Sequence, residues 1–190
     1  MSNDGYKTNL YSLFKPSSVE EDPIVLRDGS SRLYDYFVTD SIPGKFLQYT
    51  TAVGRAGEYL SKNEIGRWDY LKANNPIPIF TERAKSALLI AAPDEVEFHP
   101  LKTDVHGVEM RFWLCKVKIY CDLVDESRST SRPLAGAGNI IDKIVYRKRF
   151  DMPFHIARDR AHPFLVVVSE QFVSLCRAKG LRMGLERLPQ

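Results

Sequence analysis

Three carboxylates, Asp122, Asp125 and Glu126, fall within five residues beside Ser127 in the stretch DLVDESRS. Carboxylates grouped at the end of an apolar strand can hold a hard cation or divide acid and base work between them. The same charges also serve as solvated loop residues that stop strand edges from pairing. A small hydrolase centre is therefore weighed here against a plain loop. The four histidines, His99, His106, His155 and His162, have no HExxH spacing and no CxxC companion, so no zinc site is expected. Gly136-Ala137-Gly138 precedes a β-forming run and lacks the remaining glycine of a dinucleotide loop, which should open a helix. P-loop and GxSxG motifs are absent. The expectation is a chain without catalytic residue, metal or cofactor.

A second set of residues could do recognition chemistry. Lys143, Arg147, Lys148, Arg149, Arg158 and Arg160, with Tyr146 among them, could follow phosphates along a basic strand over 143–149. The aromatic interleaving of an RNA-binding strand is missing, which leaves a solvated sheet face or docking to an acidic protein. The net charge of +3 is uneven: residues 1–95 hold 11 Lys and Arg against 13 Asp and Glu, and residues 96–190 hold 16 against 11. That imbalance is too small to argue nucleic-acid binding. Trp68 and Tyr70, in an irregular aromatic segment, either wrap a core or meet a partner.

The element that must position these groups is VEMRFWLCKVKIYCDLV, Val108 to Val124. Val108, Met110, Phe112 and Leu114 share one face of a strand; Trp113, Cys115, Val117, Ile119 and Cys121 share the other. The pattern predicts a long central strand, covered on both faces at its start and on one later, with a bend or a bulge near Cys115. Glu95–Phe98 reads as its antiparallel hairpin partner, joined through a turn at Asp104–Gly107. Asn9–Phe14, Ile24–Leu26, Leu33–Val38, Ile77–Phe80, Ile140–Phe150, Phe164–Val168 and Leu181–Leu185 read as further strands. Asp28–Ser31 reads as a turn, residues 58–63 as a short helix and residues 122–139 as a long loop. Thr81 and Ser169 are placed to cap helices, and Gly180 to end the second one. Phe80-Thr81, Ala84 and Leu88 correspond to Val168-Ser169, Phe172 and Cys176 at a constant offset, a repeated strand–helix–strand pattern. The fold expected is α+β: a central, mostly antiparallel twisted sheet with two capped helices packed on it.

At 190 residues one domain is expected. Residues 1–64 would form N-terminal strands and an irregular segment packed on the core formed by 65–190. No run approaches about 18 apolar residues, so no membrane span is expected. The N-terminus has no basic and apolar leader pattern. Three cysteines, Cys115, Cys121 and Cys176, without a CxxC, read as reduced thiols of a cytoplasmic protein.

Three stretches together carry a family likeness: IPIFTERAKSALL, FWLCKVKIYCDLVDESRS and FLVVVSEQFVSLCRAKGLRMGLERL. Their order and spacing resemble immunity protein family 11 of bacteria, over about residues 65–188. The resemblance implies an α+β protein encoded beside a polymorphic toxin, which protects its cell by binding that toxin and catalyses nothing. It assigns no contact residues. Anchors of such an interface are aromatic or Arg side chains, so Trp68, Tyr70, Arg132, Arg147 and Arg149 are the candidates, with Asp122, Asp125 and Ser127 of the acidic motif. No nucleic acid or membrane is expected as a partner, and the oligomeric state stays open.

Overall fold

The computed structural model describes residues 5–14, 24–28, 31–58, 60–134 and 138–190. Gly29-Ser30 of the first turn and Gly136-Ala137 lie outside them. In chain order the elements are β1 (Tyr6–Lys7), β2 (Leu10–Phe14), β3 (Ile24–Leu26), α1 (Arg32–Phe37), a 3-10 turn (Gly44–Gln48), β4 (Ala52–Ala56), α2 (Lys62–Ile65), β5 (Tyr70–Leu71), β6 (Ile79–Phe80) and α3 (Glu82–Ala91). There follow β7 (Val96–Val105), β8 (Val108–Val117), β9 (Tyr120–Cys121), β10 (Thr130–Leu134), β11 (Gly138–Lys143), β12 (Arg149–Phe150), β13 (Ile156–Asp159), β14 (Val166–Ser169), α4 (Glu170–Lys179) and β15 (Gly184–Arg187).

The α+β expectation is corrected. The protein is mostly β, with short helices, and its strands form two main sheets rather than one. One sheet runs β3-β4-β7-β8-β6-β5 and the other β15-β2-β14-β13-β9; β1-β12 and β10-β11 are separate two-stranded ribbons. The first sheet curls into a half-barrel. Its edges meet where Ile24 donates to the Lys72 carbonyl at 2.8 Å and accepts from Asn74 N–H at 3.1 Å. Joining the edges satisfies backbone groups that would otherwise template aggregation.

Strand β8 shows where local pattern ended and long-range pairing took over. It pairs with β7 without a register shift from Val105–Val108 to Val96–Val117, so there is no bulge at Cys115. The bend comes instead after Val117, and Tyr120–Cys121 leaves the barrel to run parallel to β13 in the other sheet. The burial gradient is the reverse of that expected. Val108 and Glu109 are exposed at the hairpin end, and residues 114–117 are buried. Both faces are covered there because Phe112 and Leu114 point into the barrel core. Cys115 and Val117 face a second core shared by the two longer helices.

Leu33–Val38 is helical, not a strand. Leu33, Tyr36 and Phe37 at helical spacing are buried, and Asp28 Oδ2 accepts from Tyr34 N–H at 3.1 Å to hold the first turn. The helix expected at 58–63 sits later, at Lys62–Ile65, started by a capping box between Ser61 and Glu64. The loop expected over 122–139 contains β10 and the start of β11, paired as a ribbon. Ile140–Phe150 is broken rather than one strand, since residues 144–148 separate β11 from β12.

The two strand–helix–strand units do not lie on one sheet. Strands β6 and β7 both pair antiparallel with β8, so they run parallel to each other with β8 between them and α3 as the crossover. Strands β14 and β15 flank β2 in the same way, with α4 as the crossover. The caps are those expected: Thr81 accepts from Ala84 N–H, Ser169 from Gln171 N–H, and Gly180 ends α4 at φ 59°. The corresponding residues Ala84, Leu88, Phe172 and Cys176 are buried together, where the two sheets face each other through their helices.

Candidate functional site

The acidic motif is held in a tight turn. Asp125 N–H donates to Val145 O at 2.8 Å, and Arg128 and Ser129 N–H return to Asp125 O. The Ser127 hydroxyl donates to Asp125 Oδ1 at 2.6 Å, and this bond is the main reason that the Asp125 carboxyl titrates below its ordinary value. Asp122 faces Arg160 at 3.6 Å, and Glu126 faces His162 Nε2 at 2.9 Å. A general acid needs a raised pKa in a recess. Asp125 is shifted the other way, and each carboxylate already has its own partner. Asp125 and Ser127 thus shape a turn, and Asp122 stands before it against Arg160.

The basic strand is also taken apart. Arg158 is completely buried and Tyr146 nearly so, so neither can follow phosphates. Arg132 pairs with Asp142 at 2.8 Å, Arg147 Nε donates to Val124 O at 3.2 Å, and Arg149 lies in β12 against Lys7. Of the candidates, Asp125 and Arg147 come together, because their segments pair through the Val124–Tyr146 bridge. Trp68 and Tyr70 stand apart, on the segment that leads into β5 and on its first residue.

That segment carries two recesses on consecutive residues. The first is a pocket of about 200 Å³ lined by Arg67, Trp68, Asp69, Thr81, Arg83 and Arg182. Trp68 is half-buried against the barrel core. Asp69 is the pin that builds the pocket. Its carboxylate accepts from the Thr81 hydroxyl at 2.7 Å, from Arg83 Nε at 3.2 Å and from Arg182 N–H at 2.8 Å, and Arg83 Nη2 also closes on it. Burial alone would raise its pKa, but the Arg83 side chain, the Arg182 amide and the Thr81 hydroxyl outweigh it and hold the carboxyl below its ordinary range. Arg83 in turn donates to Gly180 O at 3.0 Å, tying the start of α3 to the end of α4.

The second recess is a mainly apolar groove of about 330 Å³, lined by Leu13, Tyr70, Pro76, Pro78, Phe164 and Val166 among others. Tyr70 stacks at a tilt on Phe80, 5.7 Å between centroids, and burial pushes its phenol up to about 12. It is therefore a neutral, apolar wall at any ordinary pH. Phe164, on the opposite lip, is half-exposed. Beneath the groove Arg158 donates to the carbonyls of Pro76 and Pro163, one on each side. Of the residues lining the two recesses, the sequence offers Trp68 and Tyr70 as candidates and does not single out Arg67, Arg182, Leu13 or Phe164. Arg67 adjoins Trp68, but nothing local connects Leu13, Phe164 and Arg182 to that segment.

Among the described residues, no group of histidine, cysteine and carboxylate side chains could hold a metal. The three cysteines are free, and burial pushes Cys121 to about 11 and Cys176 to about 12. No helix of the described residues is long and apolar enough to cross a membrane.

A family model described as "Immunity protein family (Imm11)" matches residues 46–186. The match begins earlier than the residue 65 expected from the motifs and takes in β4 and α2 of the half-barrel. No curated protein matches the chain.

Proposed function

Because the chain belongs to the immunity protein family Imm11, whose model covers most of it, we propose that it binds a cognate bacterial toxin in the cytoplasm and neutralises it by protein–protein contact. The family match carries this reading. The surface on Arg67–Tyr70 supports it with the ingredients of an interface hot spot: an indole, guanidinium groups and an apolar groove with an exposed Phe on its lip. Neutralisation by binding alone needs a contact of about 1,200–2,000 Å², so the two recesses would be its anchors and not its whole extent. The acidic turn, with its depressed Asp125, lends no support to the hydrolase alternative.

Co-expression with the product of the adjacent open reading frame tests the proposal. A co-purifying complex and restored growth of cells making that product are the expected result. A toxic product that neither binds this protein nor is relieved by it would remove the reading.

A further inference from the structure

The pocket beside Trp68 has a charge that its own residues do not cancel. Three guanidinium groups, from Arg67, Arg83 and Arg182, line it against the single carboxylate of Asp69. That carboxylate is already committed to Arg83 and to two further donors. Arg67 and Arg182 are exposed, and neither has a side-chain acceptor among the described residues. The N-terminus of α3, capped by Thr81, opens at the same place and adds its partial positive charge. On the next residue along the chain, Tyr70 begins the apolar groove.

We infer that this surface takes an acidic segment of the toxin: a carboxylate side chain seated between Arg67 and Arg182, with a neighbouring apolar side chain in the groove between Tyr70 and Phe164. The inference rests on the immunity reading and gives the partner's chemistry. Arg is the residue suited to this task, because its planar fork meets a carboxylate through two parallel hydrogen bonds. Charge complementarity selects the occupant. A nucleic acid would also answer the charge, and the test below separates it from an acidic protein segment.

The test uses the full chain and the purified product of the adjacent gene, with affinity measured by calorimetry at low and moderate salt. Arg67→Glu/Arg182→Glu should weaken binding by about 100-fold or more and flatten its salt dependence, because both charges that face the toxin's carboxylate are reversed. Arg67→Lys/Arg182→Lys should lose less, because the charge remains and only the fork is gone. Both residues are exposed, so an unchanged circular dichroism spectrum and melting point are expected for each variant. Unchanged affinity in the double Glu variant, beside a wild type that binds, would overturn this inference alone. No complex with the wild type would overturn it together with the immunity reading. Retention of a single-stranded oligonucleotide by the wild type at low salt, lost in the double Glu variant, would reassign the pocket to nucleic acid and also overturn it.

Discussion

Arg158, on β13 of one sheet, donates through Nη2 to the carbonyl of Pro76, in the segment leading to β6 of the other sheet, at 3.1 Å. Its Nη1 reaches Pro163 O, its side chain is wholly buried, and its Nε has no partner among the described residues. Among the described residues no carboxylate is paired with it, and burial pulls its pKa below the ordinary arginine value. The charge is met only by carbonyl dipoles, and it ties together the two walls of the apolar groove. Arg158→Ala should cost about 3–5 kcal/mol, from the cavity and from two carbonyls left without donors. Arg158→Met, which keeps most of the volume, should lose less. Urea denaturation of the two variants checks the order. Equal losses would mean that the carbonyl bonds, and not the filled space, carry the whole effect.

Its neighbour Asp159 is buried as well, and accepts from three backbone amides: Leu123 at 2.8 Å, Val124 at 3.0 Å and His162 at 2.7 Å. It anchors the acidic turn that follows β9. Asp159→Asn retains one acceptor oxygen and should cost about 1.5–3 kcal/mol, since an amide nitrogen then faces an amide N–H. Hydrogen exchange should speed up, relative to the barrel strands, at whichever of these amides face the new NH2 group, either His162 or Leu123 with Val124. Unchanged protection there would count against the anchor.

Asp69 links stability to acid. Its folded pKa lies below that of the unfolded chain, so the unfolded state binds more protons in acid. The stabilisation is fully present above an unfolded value of about 4 and is lost as pH falls through the folded value. Asp69→Asn should lower stability by about 2–3 kcal/mol at neutral pH, discounted because Arg83 is half-exposed. The gap between wild type and variant should narrow towards pH 3. Thermal melts across that range decide it: a gap that stays constant would show that the carboxylate charge is not what matters.

The turn between β7 and β8 places His106 at φ 51° and Gly107 at φ 84°, the two positive angles of a type I′ hairpin. Asp104 Oδ1 accepts from Gly107 N–H at 2.7 Å. Asn tolerates the first position better than His, so His106→Asn should stabilise by about 0.5 kcal/mol. Gly107→Ala meets no atom but strains the backbone, and should cost about 1 kcal/mol. Melting temperatures moving in opposite directions for the two variants are the expected readout.

Gly184, within the last of the three stretches that carry the family likeness, is a case of tertiary demand on a single residue. A Cβ there would lie 2.6 Å from the Phe14 ring, which covers the glycine across the β2–β15 pair. Gly184→Ala should push that ring off the strand and cost about 1–3 kcal/mol. A second variant, Gly184→Ala/Phe14→Ala, removes the clash, and its double-mutant cycle should show coupling.

Residue types and short spacings were enough to place Thr81 and Ser169 as caps, Gly180 as a terminator, the β7–β8 hairpin, and the two faces of Phe112–Leu114 and Cys115–Val117. Each depends on contacts within a few residues, where periodicity and backbone angles are locally determined. The family likeness, too, was carried by the order of such motifs. Tertiary structure alone decided that the strand after Val117 changes sheets and that Ile24 meets the Lys72–Asn74 segment to curl the barrel. It alone brought Arg182 beside Arg67 and buried Arg158 under the groove. Any strand can offer its amides to many partners. The choice among them is made by packing over the whole chain, and a one-dimensional pattern has no record of it.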